Sequence, residues 1–205
     1  MSCEQTQLPA KGPDVSILIV GYNSASLIGR CIRSIASGCS RHSYEVRLVD
    51  QGDGTTEALV REQFPEVCVV ASRGNLGFAG GNNLLADAAE GRYLLLLNPD
   101  VLLSPHAVDL LVEGAQKHSQ GSAWGGVTTD GEGIPDIGNT VHIPSLREMA
   151  SRLIGRSSAR LPDHQSLEEN HEVEALSGGF LLIDRAAWDE AGGLDERYFL
   201  YCEEV

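Results

Sequence analysis

The chain has no apolar run approaching the roughly 20 residues that a membrane-spanning helix needs. Its start, Met1-Ser2-Cys3-Glu4-Gln5, has neither the basic nor the apolar region of a secretion signal. A cytoplasmic location is expected. Paired cysteines are also lacking: Cys3, Cys31, Cys39, Cys68 and Cys202 are odd in number and scattered, with no C-x-x-C among them. That pattern argues against a zinc or dithiol redox centre and for reduced thiols that mostly fill the core. Positive charge is scarce, with 15 Lys and Arg against 29 Asp and Glu and a formal net charge of −14. Such a field repels nucleic acid and anionic lipid, so no nucleic-acid partner is expected. It also repels any nucleotide-linked substrate, which then needs local positive charge such as a divalent metal held by a carboxylate.

At 205 residues and 42% hydrophobic, the chain supports one substantial core and reads as a single globular unit. Residues 1–13 read as a flexible N-terminal tail, with order beginning near Val15. Val15 to Val20 is a short β-rich run that ends at Gly21-Tyr22-Asn23. Ser24 then caps a helical pattern with Leu27, Ile28, Cys31, Ile32 and Ile35 on one face. The unit recurs as a strand from Tyr44 ending at Asp50, a helix over Thr56 to Phe64 and a strand over Val67 to Ala71. Alternating strands and helices predict an α/β fold with a doubly wound, mostly parallel sheet flanked by helices.

Residues 73–83 form a glycine-rich stretch, Arg73-Gly74-Asn75-Leu76-Gly77-Phe78-Ala79-Gly80-Gly81-Asn82-Asn83, expected to be a loop running into a helix over Leu84 to Glu90. Small residues there either let backbone approach a ligand or serve only tight turning. Next, the apolar run Leu94 to Leu97 stops at Asn98-Pro99-Asp100. A buried strand that delivers a carboxylate at its carboxyl end is where open α/β sheets place ligand chemistry, although Asn-Pro-Asp is also a good turn. Ser104-Pro105 is expected to open a helix to about His118, with Ser as cap and Pro first. Residues 121–174 look loop-rich, and His142, His164 and His171 lack ligand-like spacing. Ser177 to Ile183 reads as the last strand, Arg185 to Ala191 as a short helix closed by Gly192-Gly193.

Taken in order, Val15 to Ser24, Asn75-Leu76-Gly77-Phe78 with Gly80, Gly81 and Asn83, Asn98-Pro99-Asp100, and Gly178-Gly179-Phe180 through Glu204 resemble the inverting family 2 glycosyltransferases, in particular the rhamnosyltransferase-like members. The resemblance implies the A-type glycosyltransferase fold and a nucleotide-diphospho-sugar donor. It further implies a glycan or lipid-linked acceptor and a divalent metal, Mg2+ or Mn2+. Residues 14–110 would form the nucleotide-sugar-binding half of one domain and 111–205 its acceptor half. Asp100 matches the metal-binding aspartate and Glu204 the catalytic base. On the donor side the family pattern places Tyr22, Asp50, Asn75, Gly77, Asn83 and Asn98, with Asp50 reading the base. On the acceptor side it places Gly178, Gly179, Asp195 and Glu203.

The residue types suit a single displacement. A carboxylate takes the proton of the attacking hydroxyl, and a metal offsets charge on the departing diphosphate. Departures from the pattern are local. The turn Gln51-Gly52-Asp53-Gly54-Thr55 is about two residues shorter than the family's, Glu204 stands where Asp is usual, and Leu194 where Phe is common. Family members also continue past the position of Val205, so a truncated chain is expected, and the missing part is one that peripheral membrane association would use. A catalytically silent nucleotide-sugar-binding module or interaction domain is the alternative. A sugar nucleotidyltransferase ranks lower, because Gly21 to Gly29 offers no Lys or Arg to grip a triphosphate. Sugar, nucleobase and oligomeric state are not encoded in these patterns.

Overall fold

The β-branched run at Val15 forms strand β1 (Val15–Gly21), buried along almost its whole length. Such continuous burial is the mark of a parallel strand covered on both faces. The computed structural model describes residues 12–129, 135–136, 140–141, 172–173 and 175–198. Downstream of β1 come α1 (Ala25–Gly38), β2 (Tyr44–Asp50), α2 (Thr55–Gln63), β3 (Cys68–Val69), α3 (Gly77–Ala88), β4 (Tyr93–Leu97), α4 (Ala107–Lys117) and β5 (Ala123–Gly125). Two short pairs follow, β6 (Thr128–Thr129) with β7 (Pro135–Asp136) and β8 (Thr140–Val141) with β9 (Ala175–Leu176). Strand β10 (Phe180–Asp184) and helix α5 (Arg185–Ala191) end the described elements.

The main sheet has the order β3-β2-β1-β4-β10-β5. Strands β3, β2, β1 and β4 are mutually parallel, and β10 lies antiparallel between β4 and β5. Alternation along the strands sorts side chains into two cores. Ile17, Ile19, Leu48, Leu95 and Leu97 pack with Ile28, Ile32 and Ile35 of α1, Val60 of α2 and Val108 and Val112 of α4. Leu18, Val49, Leu94, Leu96 and Leu181 pack with Leu85 and Ala86 of α3 and Trp188 of α5. The sheet is therefore doubly wound. Each fully buried Leu or Ile contributes roughly 1.5–3 kcal/mol. No described helix is long and apolar enough to cross a membrane.

Several elements differ from the sequence expectation. Helix α3 begins at Gly77 and takes in the glycines read as a loop. A Cβ at Gly81 would lie 2.3 Å from Gln51 Nε2 and 2.9 Å from Val20 Cγ1. These small residues therefore serve close packing of helix on sheet, which a propensity argument reads as helix breaking. Helix α4 starts at Ala107, after a turn in which Ala107 N donates to Ser104 O at 3.1 Å, and His106 at φ 63° takes the cap position expected for Ser104. Ser24 does cap α1, but through its carbonyl; its hydroxyl is bonded to Tyr22. Order reaches back to Pro13, whose carbonyl accepts from Arg92 N at 3.2 Å. Residues 1–11, His142, His164 and His171 lie outside the described residues.

Candidate functional site

Because β1, β2 and β4 are parallel, their carboxyl ends share one edge. The register pairs Gly21 with Asp50 there. Strand β10 runs the other way, so its start comes to the same edge, with Phe180 opposite Leu97. Asn98 N donates to Gly179 O at 3.0 Å, which joins the Asn98-Pro99-Asp100 turn to Gly178-Gly179. The antiparallel strand thus delivers the end segment's glycines to the parallel strands' ligand edge, as open α/β sheets require.

Tyr22 is 59% exposed beyond β1. Asp50, by contrast, is buried, and its carboxylate accepts Gly52 N at 2.8 Å and Glu57 N at 3.0 Å. It caps the first turn of α2, so the residue expected to read the donor's base carries a structural load as well. Next to it, Gln51 was missed by sequence reasoning. Its Nε2 donates to Gly77 O at 2.9 Å and its Oε1 accepts Leu76 N. That two-way amide bond ties the shortened turn to the start of α3. The signal was an amide directly after the strand-end carboxylate Asp50.

Asn75 is exposed, and its Oδ1 accepts Gly77 N at 3.0 Å to open α3, with Gly77 at φ 75°. On its other flank α3 sets Phe78 against Gly178, where a Cβ would lie 2.6 Å from the ring. Asn98 is half-buried, and its carbonyl accepts Val101 N at 3.1 Å and the Cys31 thiol at 3.6 Å. Burial, then the nearby Asp100 charge, pushes that thiol up to about 12. It is an inert packing group.

Asp100 is exposed, and among the described residues its carboxylate makes no hydrogen bond. No group of three or more His, Cys, Asp or Glu side chains among the described residues is placed to hold a metal. The exposed Asp100 carboxylate, two positions after Asn98 in the chain, is an oxygen-type donor. It suits a hard cation that takes its other ligands from substrate phosphates and water, and it does not suit zinc.

Two further expected site residues meet at one junction. Asn83 and Asp195 sit where the second turn of α3 meets the 192–196 loop. Asn83 Nδ2 donates to Leu194 O and to Glu196 Oε1, each at 2.9 Å, and its Oδ1 accepts Leu194 N at 2.9 Å. The Asp195 carboxylate is held by Arg197, whose Nε lies 2.9 Å from both oxygens, and these bonds keep it below the usual carboxylate value. Glu203 and Glu204 lie outside the described residues.

Residues 16–191 match the model of Glycosyl transferase family 2. The chain belongs to that family. This family 2 chain is 30% identical, over 92% of its length and 67% of the relative's, to N-acetylglucosaminyl-diphospho-decaprenol L-rhamnosyltransferase of Mycobacterium tuberculosis. It is 22% identical to rhamnosyltransferase WbbL of Escherichia coli, over 93% of this chain and 74% of the relative. In fold it resembles S. aureus TarS 1–349 in complex with UDP (TM-score 0.61, 17% identity, 93% of this chain and 52% of that one). It likewise resembles the mannosyltransferase PcManGT from Pyrobaculum calidifontis in complex with GDP-Man and Mn2+ (TM-score 0.60, 19% identity, 96% and 51%). The family 2 chain spans about half the length of these solved structures.

Proposed function

We propose that this chain carries the catalytic site of an inverting sugar transferase, acting at the cytoplasmic face of a membrane. It moves a hexose, with rhamnose the first candidate, from a nucleotide-diphospho-sugar to a lipid-linked or glycan hydroxyl. The observation that carries the reading is Asp100, an exposed carboxylate with no hydrogen-bond partner among the described residues, at the sheet edge where β1, β2, β4 and the start of β10 converge. The similarity to a named L-rhamnosyltransferase with a lipid-linked diphospho-sugar in its name supports the sugar and the acceptor class.

In this mechanism the acceptor oxygen attacks the anomeric carbon from the face opposite the diphosphate. The carbon–oxygen bond to the diphosphate breaks as the new one forms, which inverts the centre. Glu204 takes the hydroxyl proton. Asp100 would hold a divalent cation, Mg2+ or Mn2+, whose charge would offset that of the departing nucleoside diphosphate. Tyr22, Asn75 and the Asp50 turn flank the nucleotide, and Gly178-Gly179 floor the acceptor side. Holding both substrates in line removes much of the entropic barrier.

The test is thermal stability of the chain with and without Mn2+, against UDP, dTDP and GDP, with Asp100→Asn alongside. A nucleotide at a hundred times its dissociation constant adds about 2.7 kcal/mol. Metal-dependent stabilisation by one nucleotide, lost in Asp100→Asn, is expected. No shift with any of them would overturn the reading, and nucleotide binding without release of nucleoside diphosphate in the presence of acceptor would make the chain a silent binding module.

A further inference from the structure

Asn83 has all of its donor capacity committed. A side-chain amide offers two N–H donors and two acceptor lone pairs. Here the N–H groups go to Leu194 O and Glu196 Oε1, and one lone pair takes Leu194 N. Nothing is left to donate to a phosphate or a ribose oxygen. The bonds bridge 111 residues of sequence, from the helix whose first turn meets the Asp50 turn to the loop that carries Asp195.

The partner loop is shaped to receive this amide. Gly192 and Gly193 both have left-handed backbone, at φ 80° and 82°, and a Cβ on Gly193 would lie 2.5 Å from Asn83 Oδ1. A Cβ on Gly80, one turn earlier on α3, would come 3.7 Å from the Glu196 carboxyl carbon. Helix and loop therefore meet backbone against side chain, and Asn is the residue type that fits. Asp would lose both donations and set a second negative charge beside Glu196. Gln would push the amide about an ångström too far.

We infer that Asn83 is a positioning residue: it fastens the acceptor-side loop at 192–196 to the donor-side helix α3 and does not touch the donor. The inference rests on the transferase reading and refines it. Through Gln51 at its start and Asn83 one and a half turns on, α3 is a strut between the two substrate sides. A misplacement of about an ångström between donor and acceptor costs on the order of a hundredfold in rate, so such a strut acts on turnover rather than on donor affinity.

The experiment compares the wild-type chain, Asn83→Ala, Gly193→Ala and a control, Arg185→Met. The control removes an arginine that caps the far end of α3 by donating to Ala86 O at 3.0 Å and Ala89 O at 2.8 Å. Amide hydrogen exchange at Leu194, affinity for UDP, dTDP and GDP with Mn2+, and release of nucleoside diphosphate with a polyprenyl-diphospho-sugar acceptor are measured on each. For Asn83→Ala the expected result is Leu194 exchange at least tenfold faster, nucleotide affinity within twofold, and kcat at saturating donor at least tenfold lower. Gly193→Ala should match it if Asn83→Ala fails to fold, and Arg185→Met should keep kcat. Unchanged Leu194 exchange, a tenfold loss of nucleotide affinity, unchanged kcat, or an equal loss of kcat in Arg185→Met would each overturn the assignment. A wild-type chain that binds none of the nucleotides overturns the transferase reading itself, which separates the two failures.

Discussion

Gly179 and Asn98 are joined by a single backbone hydrogen bond of 3.0 Å, and through it the start of an antiparallel strand sits beside the end of a parallel one. The bond sets the short turn Asn98 to Asp100 against the Gly178-Gly179 segment. Residues far apart in the sequence thereby reach one edge of the sheet.

The Asp50 carboxylate is expected to matter for stability before any ligand is added. Asp50→Ala removes the buried acceptor of Gly52 N and Glu57 N beneath the exposed turn 52–55. Loss of such a cap costs about 1–2 kcal/mol. Urea unfolding without ligand should show a midpoint shift of that size, and an unchanged midpoint would remove the capping role.

Gly81→Ala should destabilise the chain although alanine is the better helix former. Its new methyl would meet Gln51 Nε2 and both Val20 methyls. Overpacking of this kind costs about 1–3 kcal/mol. Gly114→Ala, whose Cβ meets nothing within 4 Å on α4, should instead be neutral or stabilising by up to about 1 kcal/mol. Equal effects at the two positions, read by thermal melts, would refute the packing account of the glycines in α3.

Asp109, fully buried on α4, binds the Ser40 and Arg41 amides at 3.1 and 3.0 Å and faces His42 and His106 at 3.3 and 3.1 Å. Burial opposes its ionisation, but the hydrogen bonds from Arg41, His106, Ser40 and His42 outweigh it and hold the carboxyl well below its ordinary value of 3.8. A depressed folded value means that the stabilisation is complete above the unfolded value and fades as pH falls toward the lower folded one. Asp109→Asn should therefore cost on the order of 2–4 kcal/mol at pH 7. The gap to wild type should narrow below about pH 4. A gap that is constant between pH 7 and pH 3 in denaturant titrations would contradict this.

Cys31 and Cys39 should resist alkylation until the chain unfolds. Both are buried, and burial, with Asp100 and Asp109 respectively adding negative charge, pushes both thiols up to about 12. At pH 8 roughly one thiol in ten thousand is then ionised. Iodoacetamide labelling followed by peptide mapping should find them modified only in denaturant; prompt labelling of either in the native chain would disprove the assignment.

The α/β alternation and the role of the Asn-Pro-Asp turn as a strand terminus were legible because burial on two faces leaves an unbroken apolar run such as Leu94 to Leu97. The second half of helix α3 was legible over Leu84 to Ala88, but its first half was not, because Gly80 and Gly81 lower helix propensity while the close fit of Gly81 against Val20 and Gln51 lies in tertiary structure. The antiparallel sense of β10 was also hidden, since a short apolar run such as Phe180 to Ile183 carries no mark of strand direction. For the site, exposure separated Asp100, which is free of protein partners among the described residues, from Asp50, which is spent on two amides. Sequence patterns report residue types and cannot report which lone pairs are already taken. Asn83 shows the same limit: the family resemblance placed it on the donor side, and its side-chain bonds run to Leu194 and Glu196.

Strand β5 runs parallel to β4, so the chain leaves β5 at the edge where it later enters β10, and Gly125 and Leu181 are register partners. The stretch 126–179 is an excursion with a fixed doorway. Closing such an excursion grows costlier only with the logarithm of its length, by about 0.6 kcal/mol for each doubling. Changes in the length of that stretch are therefore cheap to the fold. The scaffold can take connections of different length between β5 and β10 while the order of strands β3, β2, β1 and β4 stays as it is.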